Sequence, residues 1–122
     1  MAARPTDGEL AILRALWEMG PATVRRVHEK LGRGTAYTTV LKLLQIMTEK
    51  GLVRRDESSR THVYTAAETA EKTQRLLVKD LLEKAFGGAT GDLVLQALAT
   101  KRASAEELVQ IRKLLDECER RD

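Results

Sequence analysis

Hydroxyl, amide and amine side chains recur between residues 35 and 45 at positions from which they could contact DNA. They are Thr35, Thr38, Thr39, Lys42 and Gln45. A threonine hydroxyl can bond a base edge or a phosphate, a glutamine amide can form two hydrogen bonds with adenine, and a lysine can reach guanine or a phosphate. This segment is therefore a candidate surface for reading double-stranded DNA.

Positively charged side chains flank the segment. Arg25 precedes it, and Arg54, Arg55 and Arg60 follow it. Residues 1–66 contain 11 Lys and Arg against 7 Asp and Glu, whereas residues 67–122 contain 10 against 11. The basic surplus thus lies in the first half, where these cations could neutralise phosphates whatever the base sequence.

The residue content argues against metal, cofactor and enzyme chemistry. Cys118 is the only cysteine, and His28 and His62 are the only histidines, so the chain has no spacing typical of a structural metal site. It also has no glycine-rich phosphate loop and no nucleophile motif that we recognise. We expect no metal, no cofactor and no catalysis. Cys118 is expected to be buried, and both histidines are expected at surface or boundary positions.

Apolar runs are short throughout the sequence. None approaches the roughly 20 residues that a bilayer-spanning helix needs, and the first eight residues do not resemble a signal peptide. These features predict a cytoplasmic protein without membrane insertion. Aromatic residues make up only 3% of the chain, which favours a helical core of Leu, Val, Ile and Ala.

Two short helices are expected before the polar segment. Thr6 and Glu9 have the spacing of a capping box, and Thr23 can cap the second helix. The apolar stripes repeat at helical intervals. They consist of Leu10, Leu13 and Trp17 in the first helix, and of Val24, Val27 and Leu31 in the second.

The polar segment itself is expected to be a third helix, from about residue 36 to residue 50. Its predicted core stripe contains Tyr37, Val40, Leu44 and Met47, with the polar side chains opposite. Two stretches with high β-propensity follow, at residues 52–56 and 61–65, and together they predict a β-hairpin. Three helices followed by a basic hairpin are typical of a winged helix-turn-helix, in which the third helix enters the major groove.

The second half of the sequence predicts three more helices. A long helix is expected from about residue 68 to Phe86, a short apolar helix follows Gly87 and Gly88, and a capping box at Ser104 opens the last one. Such small pieces cannot bury their leucines alone, which predicts pairing with a second copy of the chain. The predicted dimerisation residues are Leu76, Leu77, Leu81, Leu93, Leu95, Leu98, Leu108, Ile111 and Leu115.

The sequence thus predicts a mainly α fold with a small β-hairpin. A winged-helix DNA-binding domain is expected over residues 1–67, and a three-helix dimerisation domain over residues 68–122. Alternatives remain at this point, because a polar helix face is commonly just a solvated face, and hairpin arginines can simply protect an edge strand. A winged helix that docks a protein partner would use the same scaffold.

Several short motifs also resemble the penicillinase repressor family of the BlaI/MecI type. They are Glu9-Leu10, Leu16-Trp17-Glu18, Gly20-Pro21, Thr23-Val24-Arg25, Ala36-Tyr37-Thr38-Thr39-Val40, Lys50-Gly51-Leu52-Val53 and Phe86-Gly87-Gly88. The resemblance covers almost the whole chain. It implies a homodimer that binds a palindromic operator and represses nearby genes, often those for β-lactam resistance.

The resemblance further implies inactivation by proteolysis. In the penicillinase branch, an antibiotic-activated, membrane-bound sensor metalloprotease cuts an Asn-Phe bond in the helix after the double glycine. Gln96 and Ala97 occupy that position here. A protease pocket shaped for Asn-Phe would lose its hydrophobic anchor on this bond. Copper-responsive relatives end in a cysteine-rich motif, which Cys118 alone cannot replace.

Overall fold

The computed structural model describes residues 4–121, in which six helices and two strands follow one another. The first five elements are α1 (Asp7–Met19), α2 (Val24–Leu31), α3 (Tyr37–Lys50), β1 (Val53–Asp56) and β2 (Val63–Ala66). The last three are α4 (Ala70–Phe86), α5 (Thr90–Thr100) and α6 (Ala105–Arg120). The predicted mainly α fold with one hairpin is confirmed.

The chain divides into two compact units, the first ending at Leu76 and the second beginning at Leu77. The division falls within α4. The predicted domain boundary, between residues 67 and 68, lies earlier in the chain, directly after the hairpin. That the two parts separate DNA binding from dimerisation stays a prediction.

The core of the first unit is built by the stripes of α1, α2 and α3. Val27, Val40, Leu44 and Met47 are completely buried, as is Ile12 of α1. Three other members of the predicted apolar stripes are half-buried and pack against this core: Leu10, Trp17 and Leu31. The indole Nε1 of Trp17 donates a hydrogen bond to the carbonyl of Glu68 at 3.0 Å. These contacts hold three short helices together in one unit.

The hairpin is joined to this core by backbone hydrogen bonds. Strands β1 and β2 are antiparallel, with Val53 opposite Ala66 and Arg55 opposite Tyr64. Ala22, between α1 and α2, forms an isolated antiparallel bridge with Tyr64 through N–H···O distances of 3.0 and 2.8 Å. The Tyr64 side chain is buried. The bridge therefore anchors the second strand to the segment that precedes α2.

A buried carboxylate joins the start of α1 to the end of α3. Both predicted capping boxes, at Thr6 and Ser104, are confirmed, but Glu9 does more than close the first one. Its side chain is only 2% exposed, and its Oε1 accepts hydrogen bonds from Lys50 Nζ at 2.6 Å and from the Thr6 N–H at 2.9 Å. Burial opposes ionisation, but these donors outweigh it and hold the pKa of Glu9 below its ordinary value.

The turn after Lys50 requires glycine. Gly51 has φ of 80°, in the left-handed region, and its N–H donates to the carbonyls of Met47 and Thr48. This cap ends α3 and lets Leu52 and Val53 begin the hairpin at once. The predicted end of the third helix at about residue 50 is confirmed.

The helices of the second unit contain no fully buried side chain within the described residues. Large apolar side chains are instead exposed on α5 and α6, with Leu95 at 66% and Leu115 at 55%. Cys118, which we expected to be buried, is exposed in the single chain because the face of α6 that carries it is uncovered. None of the helices described between residues 4 and 121 is both long and apolar enough to span a membrane.

The Glu9 network generates a prediction about stability in acid. Glu9→Gln removes the charge that Lys50 neutralises, and we expect a loss of about 1 to 3 kcal/mol in the free energy of unfolding at pH 7. Because folding lowers this pKa, the stabilisation is complete above the ordinary value of 4.5 and is lost as the pH falls below it. The variant should therefore show a weaker acid dependence than the parent in urea unfolding.

The chain offers a matched control for this measurement. Glu107 closes the capping box of α6 with Ser104 in the same way, but it is exposed and its carboxylate is not buried against a lysine. At pH 7, Glu107→Gln should cost clearly less than Glu9→Gln. Equal losses would contradict a special role for the Glu9–Lys50 pair.

Candidate nucleic-acid interface

The outer face of α3 is defined by the complete burial of its inner face. Val40 and Leu44 lie against the core. At about 100° per residue, Thr38, Lys42 and Gln45 lie on the opposite side, and all three are exposed. We call these three residues the outer stripe. It presents a hydroxyl, an ammonium and an amide in one line along the helix.

Two of the predicted threonines lie elsewhere. Thr39 is exposed but is rotated by about 100° from Thr38, so it flanks the outer stripe. Thr35 precedes the N-cap residue Ala36 and is half-buried, and its carbonyl accepts a hydrogen bond from Nε2 of His28 at 2.9 Å. Thr35 thus belongs to the turn between α2 and α3 rather than to the helix face.

Tyr37 corrects the predicted core stripe. It is 46% exposed, because it occupies the first turn of α3 at the edge of the buried stripe. Its ring meets that of His28 edge to face, with centroids 5.7 Å apart. His28 itself lies at a boundary position, as predicted. A tyrosine in the first turn, beside a run of threonines, was the signal that its polar tip could face solvent.

The hairpin arginines do not share one surface. Arg55 lies opposite Tyr64 and two residues after the buried Val53, so it belongs to the core-facing side of the hairpin. Arg54 lies opposite Thr65 on the other side. The loop between the strands is fastened by Asp56, whose Oδ1 accepts a hydrogen bond from the Ser58 N–H at 2.9 Å, and this bond lowers the pKa of Asp56.

A surface groove brings the other two predicted arginines together. Arg25 of α2 and Arg60 of the hairpin loop line it, along with Tyr37 of α3. Thr23, Thr61 and His62 complete the polar part of its lining, and Val24, Leu41 and Tyr64 the apolar part. We call this feature the hairpin groove. It unites residues from three elements that are far apart in the sequence.

The cations of the interface differ in how they are paired. Arg55 Nη2 lies 2.7 Å from Glu57 Oε1, and Arg25 Nε lies 3.9 Å from Glu29 Oε1. Within residues 4–121 no acidic side chain pairs with Lys42, Arg54 or Arg60. These three charges are available to an external anion, whereas that of Arg55 is already neutralised.

The residues predicted for dimerisation are distributed over α4, α5 and α6. The exposed ones are Leu76, Leu81, Leu95, Leu98 and Leu115, and the half-buried ones are Leu77, Leu93, Leu108 and Ile111. Gln96 and Ala97 are exposed within α5. Among residues 4–121, no cluster of three His, Cys, Asp or Glu side chains is placed to hold a metal ion.

Comparison with known proteins identifies the family. The profile of the family described as "Penicillinase repressor" matches residues 5–117. The chain belongs to the penicillinase repressor family. Its relatives include "Transcriptional regulator BlaI" of Mycobacterium tuberculosis (strain CDC 1551 / Oshkosh), which is 34% identical over 93% of this chain and 83% of that protein.

A second relative and a solved structure agree with this family and fold. "Penicillinase repressor" of Bacillus licheniformis is 22% identical over 92% of this chain and 89% of its own length. A MarR family protein from Bacillus stearothermophilus superposes with a TM-score of 0.52 and 23% identity, over 98% of this chain and 76% of that one. The predicted winged helix and the predicted resemblance to penicillinase repressors are confirmed.

The pairing of the arginines generates a prediction for binding to any DNA duplex. Arg60→Ala removes an unpaired charge and should reduce the slope of log K against log salt by roughly 1 for each protein chain bound. The double variant Arg55→Ala with Glu57→Ala removes a pair without net charge, so we expect nearly the parent slope. Fluorescence anisotropy from low to physiological salt measures both. A double variant that flattens the slope as much as Arg60→Ala would refute this assignment.

Proposed function

We propose that this protein is a transcriptional repressor that binds a palindromic operator as a homodimer in the cytoplasm. The observation that carries the proposal is the outer stripe on α3. Thr38, Lys42 and Gln45 are exposed on a helix whose opposite face is completely buried. The names of the relatives, a transcriptional regulator and a penicillinase repressor, support the same role.

In the proposed mechanism, the outer stripe contacts the bases and the hairpin arginines contact the DNA backbone. The outer stripe lies in the major groove, where the Lys42 ammonium and the Gln45 amide meet base edges. Arg54 and Arg60 of the hairpin neutralise phosphates and supply affinity for any sequence. Repression then follows from occupancy, since a bound dimer covers DNA that the transcription machinery needs.

Substitutions in the outer stripe test the function. Thr38→Ala and Lys42→Ala leave the core intact, so both variants should fold. If either residue reads a base, we expect a loss of about 1 to 3 kcal/mol per half-site and relaxed preference at one operator position. Binding to the chain's own promoter region and to a randomised site library measures both effects.

Lys72→Ala is the matched control, because it removes the same charge from α4, where Lys72 pairs with Glu68. It should keep the parent's base preference. Unchanged preference in both stripe variants and in Gln45→Ala would reject α3 as the reading helix. A parent protein that binds no duplex, even at low salt, would favour a winged helix that docks a protein partner instead.

Dimerisation is proposed from the uncovered apolar surface of the last three helices. Large apolar side chains left exposed on a small unit mark an interaction site, and symmetric pairing of identical copies is the commonest way to cover them. Two reading helices joined in this way need half-sites about 10 base pairs apart, or a multiple of that. Linking two winged-helix units also raises the affinity for the operator above that of a single unit.

A charge placed in this surface tests the dimer. Leu115→Arg puts a guanidinium on the apolar side of α6, and we expect the variant to sediment as a monomer and to bind the operator more weakly. Gln110→Arg, on the opposite side of the same helix, should stay dimeric. A parent chain that sediments as a monomer at micromolar concentration would overturn the proposal.

Control of β-lactam resistance genes and inactivation by proteolysis are further parts of the proposal. Gln96 and Ala97 lie in the middle of α5, so a protease must unwind that helix before it can cut the bond. A cut there would remove α6 and part of α5 from the dimer surface. Since Gln-Ala offers no aromatic anchor, we expect a sensor metalloprotease specific for Asn-Phe to cut this chain slowly.

A further inference from the structure

The hairpin groove combines cationic and hydroxyl groups with no acidic residue in its lining. Arg25 and Arg60 bring positive charge, and Thr23, Thr61 and Tyr37 bring hydroxyl donors. Such a lining suits an anion that accepts several hydrogen bonds. The volume of the groove, about 270 Å³, lies below the roughly 300–1,000 Å³ of pockets that enclose small-molecule ligands. The groove has room for one compact anion such as a phosphate group.

Tyr37 is the least expected member of this lining. Its hydroxyl has no hydrogen-bond partner among residues 4–121. The ring is nevertheless held in place, because His28 packs edge-on against it and is itself hydrogen-bonded to the Thr35 carbonyl. A side chain fixed before binding loses little entropy when it binds. Tyr37 is thus a rigid donor beside two cations.

The two arginines of the hairpin groove form no strong ion pair with acidic side chains of the described residues. Arg60 has no acidic partner in the described part of the chain. The 3.9 Å contact of Arg25 with Glu29 joins two well-exposed side chains, and such pairs contribute little. An entering anion would therefore displace no strong ion pair.

We propose that the hairpin groove binds one backbone phosphate of the DNA, with the Tyr37 hydroxyl donating a hydrogen bond to a phosphate oxygen and Arg60 supplying the main charge. The inference rests on the proposed DNA-binding function. It adds a contact that holds the first turn of α3 against the DNA backbone. The contact carries no sequence information of its own.

Tyr37→Phe in the full-length chain tests this, because it deletes one hydroxyl and keeps the ring against His28. With one bond lost in each half of a dimer, we expect binding to weaken roughly 5- to 100-fold. The loss should be the same for operator and non-operator duplexes. The salt dependence should stay that of the parent, since tyrosine is uncharged.

Thr61→Val provides a second variant in case Tyr37→Phe fails to fold, and it should also weaken both duplexes equally. Thr90→Val, the same change at an exposed site in α5, is the matched control and should bind as the parent does. Tyr37→Phe and Thr61→Val affinities within twofold of the parent would overturn the proposal while leaving the DNA-binding function intact. A loss confined to the operator would overturn it too, because Tyr37 would then read a base.

Inorganic phosphate distinguishes the DNA backbone from a free anion as the occupant. Nuclear magnetic resonance of the parent chain titrated with phosphate reports on His62 and Tyr37 directly. Weak shifts at these residues, together with Tyr37→Phe weakening on DNA, support the proposal. Saturation at low phosphate concentration with no effect of the variant on DNA would assign the groove to a free anion. A parent that binds no duplex would refute this inference and the proposed function together.

Discussion

The rotation of α3 about its own axis is the constraint on which the candidate interface depends. Val40, Leu44 and Met47 are completely buried, so the helix cannot turn without exposing three large apolar side chains. Exposing each one would cost roughly 1.5 to 3 kcal/mol, which is a large fraction of the stability of a small domain. The direction of Thr38, Lys42 and Gln45 is thus fixed by core packing on the far side of the helix. None of the three needs a contact of its own to stay in place.

Polar contacts at the two ends of α3 complete this arrangement. At the C-terminal end, Lys50 donates to the buried carboxylate of Glu9 and ties α3 to the start of α1. At the N-terminal end, His28 holds the Thr35 carbonyl in the preceding turn. The Glu9–Lys50 pair adds less stability than its short distance suggests, because desolvation offsets much of the attraction between the two charges. Their effect is that α3 is held at both ends, next to a hairpin that the Ala22–Tyr64 bridge fixes to the same core.

The two compact units differ in how far their apolar side chains are buried. The first unit has a complete core, whereas the helices of the second unit leave Leu95, Leu115 and similar side chains exposed. A unit of this kind gains stability from association, which links folding to assembly. In the proposed repressor, the winged-helix unit has a complete core within one chain. The exposed apolar side chains of the second unit are covered only when a second copy binds. In that proposal, damage to the apolar surface would separate the two winged-helix units and so lower the affinity for DNA.

Local sequence patterns determined the elements, and tertiary contacts decided the roles of individual side chains. The capping boxes, the glycine stop at Gly51 and the apolar spacing of α3 act within a few residues, so they could be predicted from the sequence, as could the family. Glu9 became a buried ion-pair partner only because Lys50, distant in sequence, meets it. Tyr37 is exposed because the first turn of α3 lies at the edge of the packed stripe. The packing of the hairpin decided that Arg55, and not Arg54, lies on its core-facing side. Cys118 is exposed because a single chain leaves its face of α6 uncovered, which no periodicity within one helix can reveal.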